Sequence, residues 1–128
     1  MKGILVDTSI IIDFLRQKDK SKTIQIKLEQ SGIPLHVSII THTECFAGKS
    51  IWEKKGALQT LKSLFSDIKI LPLEEGLSVK AGEIRAKYGS NISDAIIAST
   101  AISHNLELAT LNVKDFKNIK NIKLLVDF

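Results

Sequence analysis

Four carboxylates stand at positions from which acids can be gathered: Asp7, Glu44, Asp94 and Asp115. Asp7 ends the apolar run Gly3-Ile4-Leu5-Val6. Asp94 follows Ile92-Ser93 and opens the apolar stretch Ala95-Ile96-Ile97-Ala98. Asp115 lies just past Leu106-Glu107-Leu108-Ala109-Thr110, and Glu44 lies shortly after Leu35-His36-Val37. Carboxylates confined to one crevice repel one another, so they either hold a cation or raise a pKa. All-oxygen donors suit Mg²⁺ or Mn²⁺. An ion of that kind activates water and neutralises phosphate in phosphodiester cleavage.

Each acid also has a purely structural explanation. Asp is a leading N-cap residue, so Asp7 could cap the following helix. Thr41-His42-Thr43-Glu44 matches a capping box. Asp94 in a first helical turn is favoured by the helix dipole. Ser93 as N-cap, with Ile92 stapled against Ile97, would complete that helix start without any function. Asp115 could be a solvated loop acid. The case for chemistry is that all four fall on one expected edge of a sheet.

That edge follows from the element pattern. Gly3 to Val6 reads as a strand buried on both faces. Thr8 or Ser9 caps a helix carrying Ile10, Ile11, Phe14 and Leu15. A helix over 23–30, a strand over 35–37 and a helix over 38–48, with Gly48 as its C-cap, follow. The pattern continues with a helix over 51–65, a strand over 68–71 and a helix over 74–87. The helix carrying Asp94 precedes a strand over 106–110, a short turn over 113–116 and a last strand over 123–126. Alternating strands and helices predict an α/β fold: helices on both sides of a parallel four- to five-stranded sheet. Right-handed crossovers bring the carboxyl ends of such strands to one edge, where ligands bind.

The chain has 128 residues and is 44% hydrophobic, which predicts one domain spanning 1–128 with a full core. No apolar run is long enough for a bilayer, and the leading run is too short for a signal peptide, so a cytoplasmic protein without membrane attachment is expected. The single Cys45 excludes an internal disulfide and a cysteine metal site, and reads as a small core residue. His36, His42 and His104 lack metal-ligand spacing. Gly48-Lys49-Ser50 lacks the earlier glycine of a P-loop. The net charge of +4 permits a phosphate-bearing partner without requiring one. Lys114, Lys117, Lys120 and Lys123 read as a solvated face opposite Phe116, Ile119 and Ile122, with a phosphate track as the alternative. Trp52 reads as a core aromatic, with a partner-binding patch as the alternative.

The ordered set Ile4-Leu5-Val6-Asp7-Thr8-Ser9, Thr41-x-x-Glu44, Ser93-Asp94-x-x-Ile97-Ala98 and Ala109-Thr110-Leu111-Asn112-x-x-Asp115-Phe116 resembles the motifs of PIN-domain ribonucleases. Length and closing segment resemble the VapC toxins of type II toxin–antitoxin pairs. The resemblance covers essentially the whole chain. It implies a three-layer α/β/α fold and Mg²⁺- or Mn²⁺-assisted hydrolysis of RNA by an activated water. It makes Asp7 and Asp94 the principal metal ligands and Glu44 a third. Asp115 is the fourth acid, with Asn112 as the competing occupant of that place. Thr8, Ser9, Thr110 and Asn112 would hydrogen-bond the ligands or water. It further implies a cognate antitoxin as partner and a homodimer. Two other classes compete: a non-catalytic binding module of the same fold, and a phospho-acceptor receiver domain. The latter usually presents an acid pair near the end of its first strand, where this chain has a lone Asp7.

Overall fold

Four short apolar runs make the sheet. The computed structural model describes residues 3–126. The expected domain limits at 1 and 128, and Met1 and Lys2 of the leading run, lie outside them. The strands are β1 (Ile4–Val6), β2 (Leu35–Ser38), β3 (Lys69–Leu71) and β4 (Glu107–Ala109), in the order β3-β2-β1-β4. All pairings are parallel. Side chains alternate along a strand. Ile4 and Val6 therefore join Ile10, Phe14, Val37 and Leu61 on one face, while Leu5 joins Ile97, Leu108 and Phe116 on the other. Both faces are covered, as a parallel sheet requires.

The first face is covered chiefly from α1 (Thr8–Arg16), α2 (Ile24–Gln30) and α5 (Ala57–Ser66). The second is covered by α7 (Ile92–Ser103), with α6 (Glu75–Tyr88) lying over it. The result is the expected three-layer α/β/α arrangement. Between β2 and β3 the chain also forms α3 (Ile39–Phe46) and α4 (Lys49–Glu53). Residues Ala95 to Ala101 of α7 are buried without a break. A helix apolar on all sides belongs in the interior. Its buried hydroxyls are satisfied: Ser99 donates to the Leu77 carbonyl (2.9 Å) and Thr100 to that of Ile96 (2.7 Å).

Several boundaries differ from the expected ones, each for a local reason. The helix expected over 51–65 is two helices, because Gly56 takes a left-handed φ of 83° between them. Gly48 starts α4 and does not end α3, whose C-cap is Ala47. The last strand shrinks to one parallel bridge between Leu108 and Leu124. Trp52 is not a core aromatic. It is 64% exposed, and its indole N–H donates to the Phe46 carbonyl. Cys45 is buried as expected; burial pushes its thiol up to about 12, with the charges of Glu44 and Asp7 adding. It is a packing residue, not a nucleophile. Lys114, Lys117, Lys120 and Lys123 are exposed while Phe116 and Ile119 are buried. Among the described residues, no helix is long and apolar enough to cross a membrane.

Candidate active site

The site begins where β1 and β4 end. Their register pairs Val6 with Ala109, and the Asp7 N–H donates to the Ala109 carbonyl (2.9 Å). This sets Asp7 beside Thr110. Asp7 occupies the N-cap position of α1, yet its side chain makes no capping bond. Instead its Oδ2 accepts from the Ser9 hydroxyl (2.6 Å) and the Thr110 hydroxyl (2.7 Å). Each hydroxyl in turn accepts a backbone N–H: Leu111 donates to Ser9 (3.1 Å) and Asn112 to Thr110 (2.9 Å). Two relays thus fix one oxygen of a carboxylate only 2% exposed, and leave the other for the cleft that Asp7 lines. Hydrogen bonds in series polarise one another.

Glu44 reaches the same place from α3. The expected capping box is absent. Ser38, at the end of β2, caps α3 by accepting from the Ile40 N–H, so Thr41 lies inside the helix. The packing of α1 on α3 instead joins these residues to Thr8. The Thr8 hydroxyl donates to Glu44 Oε1 (2.7 Å) and lies 2.9 Å from the Thr41 hydroxyl.

Asp94 comes from the first turn of α7. The cap there is Asn91, not Ser93: its Oδ1 accepts from the Asp94 N–H (2.8 Å) and its Nδ2 donates to Asp94 Oδ2 (3.1 Å). Ile92 is 55% exposed, so the expected staple to Ile97 is not the reason for this start. Burial raises the Asp94 carboxyl to about 6, and the charges of Asp7, Asp115 and Glu44 add in that order, against the Asn91 hydrogen bond.

Asp7, Glu44 and Asp94 line one cleft of about 740 Å³, together with Thr8, Ser9 and Asn112. Asp115 does not. The turn Val113–Asp115 carries it into a neighbouring hollow of about 620 Å³, which shares Asn91 and Asp94 with the cleft. Sequence reasoning missed Asn91, although Asn91-x-x-Asp94 has capping-box spacing. It also missed Asp13, Arg16 and Gln17, which line the cleft from α1. The signal was present: Ser9, Asp13 and Gln17 recur at i, i+4, as do Thr8, Ile12 and Arg16.

The donor set is made of hard oxygens. No His or Cys lines the cleft, and among the described residues the sole ion pair is the exposed Lys49–Glu53 contact. Among the described residues the cleft carboxylates therefore have no basic partner at ion-pair distance. Also among the described residues, no three His, Cys, Asp or Glu side chains close around a common point. The arrangement fits a small, hard cation that binds one or two carboxylates and keeps waters or phosphate oxygens for the rest, as Mg²⁺ does.

Comparison with known proteins agrees with this geometry. The PIN domain family model matches residues 4–122. Ribonuclease VapC1 of Rickettsia felis is 34% identical over 135 residues, covering 96% of this chain and 95% of the relative. Ribonuclease VapC10 of Mycobacterium tuberculosis is 28% identical over 125 residues, covering 94% and 90%. Among solved structures, a toxin-antitoxin complex from Klebsiella pneumoniae superposes with a TM-score of 0.75 at 27% identity, covering 98% of this chain and 100% of that one. DNA-bound VapBC from Salmonella typhimurium shares the fold, with a TM-score of 0.80 at 23% identity and 98% coverage of both chains. The chain belongs to the PIN-domain family, among its VapC-type members.

Proposed function

We propose that this protein is a divalent-metal-dependent endoribonuclease and the toxin partner of a cognate antitoxin. The observation that carries the reading is the cleft itself. Four carboxylates, Asp7, Asp13, Glu44 and Asp94, line one space with no basic group at ion-pair distance among the described residues, and Asp7 is held by two hydroxyl relays. Asp7 and Asp94 would hold the cation, with Glu44 beside them and Asn112 at the mouth. When bound, Mg²⁺ or Mn²⁺ supplies positive charge for the phosphodiester and acidity for the attacking water. The chain's own part is to position. Ser9 and Thr110 hold Asp7, Thr8 holds Glu44, and Asn91 orients Asp94. Asp115, across Asp94 in the hollow, keeps its negative field on that carboxylate.

The test is cleavage of single-stranded RNA by the purified protein. Cleavage in Mg²⁺, lost in EDTA and restored by excess Mg²⁺, is expected. Cleavage that persists in EDTA overturns the reading. A finer prediction concerns the relays. Thr110→Val keeps the side-chain shape but removes one hydroxyl from Asp7 and leaves the Asn112 N–H without its acceptor. Metal affinity or cleavage should fall about 10–100-fold, and the loss of the buried hydrogen bond should cost about 1–3 kcal/mol of stability. Equal metal titrations for both proteins would refute the positioning role.

The antitoxin's place is the groove between α1 and α4–α5, of about 490 Å³, where Ile12, Leu15 and Ile51 make an apolar floor and Lys54 and Lys55 stand at the edge. An amphipathic segment suits such a groove. Ile12 and Arg16 border both groove and cleft, so a bound segment can continue toward the acids. The functional unit is a homodimer of this chain, which the native mass in solution tests.

A further inference from the structure

The cleft and the neighbouring hollow meet at Asn91 and Asp94, and each is lined by basic residues as well as acids. On the far side of the cleft, α1 contributes Arg16. On the far side of the hollow, Lys87 and Lys114 stand at the wall with Tyr88. Asp94 therefore lies between Arg16 in the cleft and Lys87 and Lys114 in the hollow, with Asp13 beside the first and Asp115 beside the others. Tyr88 packs against the core cluster of Leu5, Ile97 and Phe116, and the Lys87 ammonium lies over its ring, 5.5 Å from the centroid.

The hollow is built before any ligand arrives. Gly89 ends α6 with a left-handed φ of 74°, a conformation that favours glycine. Arg85 donates to the Ser90 carbonyl (2.7 Å), which holds the loop. The Tyr88 hydroxyl accepts from the Lys120 N–H (3.1 Å), tying the end of α6 to the C-terminal segment. Asp115 also lines the hollow, so an anion there must sit toward the lysines.

We propose that this hollow is the second arm of a single-stranded RNA track, in which Lys87 and Lys114 hold the phosphates flanking the scissile one. The assignment rests on the nuclease reading above for the position of the scissile phosphate. A strand crossing Asp94 meets Arg16 on one side and the two lysines on the other. Its flanking phosphates are then matched by cations, while the reacting phosphate lies over the acids. A groove that follows the backbone with positive charge is a general way to hold single strands. The lysines bind without reading sequence.

The experiment measures binding of a labelled mixed-sequence RNA decamer to the full chain carrying Asp7→Asn, in EDTA, over a range of salt. Lys87→Ala with Lys114→Ala should weaken binding about 10-fold or more at low salt and flatten the slope of log K against log salt by about 1.4, two contacts at roughly 0.7 each. Lys27→Ala with Lys62→Ala removes the same charge elsewhere and should change neither. In the otherwise unmodified chain, the hollow's lysine variants should raise KM and leave kcat alone. Affinity and slope equal to the parent's would overturn the track even if the protein cleaves RNA. Lysine-dependent binding in a chain that never cleaves would support the track and reject the nuclease reading.

Discussion

Replacing Asp94 by Asn should abolish RNA cleavage and, in metal-free buffer, make the fold more stable at neutral pH. Both effects have one origin. The carboxyl titrates at about 6 in the folded chain, against an ordinary value of 3.8, because it is buried among other acids. Between those values the folded chain keeps a proton that the unfolded chain has released. Stability of the metal-free protein therefore falls as pH rises from about 4 to 6 and levels off above that. Asn carries no charge, so the variant should lack this component. Melting curves of both proteins in EDTA at pH 4, 5, 6 and 7 measure it as a difference. Cleavage should fall at least about 10²–10³-fold, the scale for losing one preorganised electrostatic group. Full activity, or identical pH profiles, would reject the assignment. With a divalent ion the sign reverses: the parent should gain stability on adding Mg²⁺, and more so above pH 6, where the ion no longer competes with a proton.

The largest loss of stability should come from Phe116→Ala. This ring is fully buried beside Leu5, Ile97 and Leu108, on the sheet face that α7 covers. Its backbone N–H closes the turn that follows Asn112, donating to the Val113 carbonyl (3.1 Å). Removing it should cost about 3–5 kcal/mol, or roughly 10–20 °C in Tm. Phe116→Leu should cost clearly less. Because the same ring anchors the segment that carries Asn112 and Asp115, cleavage by the Ala variant should also drop at temperatures where it is still folded. A Tm within a few degrees of the parent's would show that the segment is held by something else.

The sequence carried the frame of this site better than its details. Asp7 at the end of a doubly buried strand and Asp94 at the start of a wholly apolar helix could be placed because burial patterns are long and repetitive. Glu44 could be found only with an ambiguous role. Thr41-x-x-Glu44 satisfies a capping rule that the chain does not use, since Ser38 caps the helix three residues earlier. Local patterns are degenerate in this way, and only the contact with Thr8, 36 residues away, assigns Glu44 to the cleft. The same holds for Ser93 and Asn91, two plausible caps separated by one residue. Asn112 and Asp115 could not be told apart, because a single turn of tight helix decides which one faces the cleft. The fate of Trp52 was equally hidden: an apolar ring beside Ile51 reads as core until the break at Gly56 sets the direction of the helices.

The bond between Thr110 and Asp7 spans 103 positions of chain. During synthesis Asp7, Glu44 and Asp94 all emerge before β4 exists to hold the first of them. Until that strand pairs with β1, Asp7 lacks both the Thr110 hydroxyl and the Ala109 carbonyl that fix its place. A nascent chain that has not yet reached β4 thus carries the acids without the scaffold that makes them act together. Assembly of the acids therefore waits on the pairing of β4 with β1, which comes only after all the chain between them has been made.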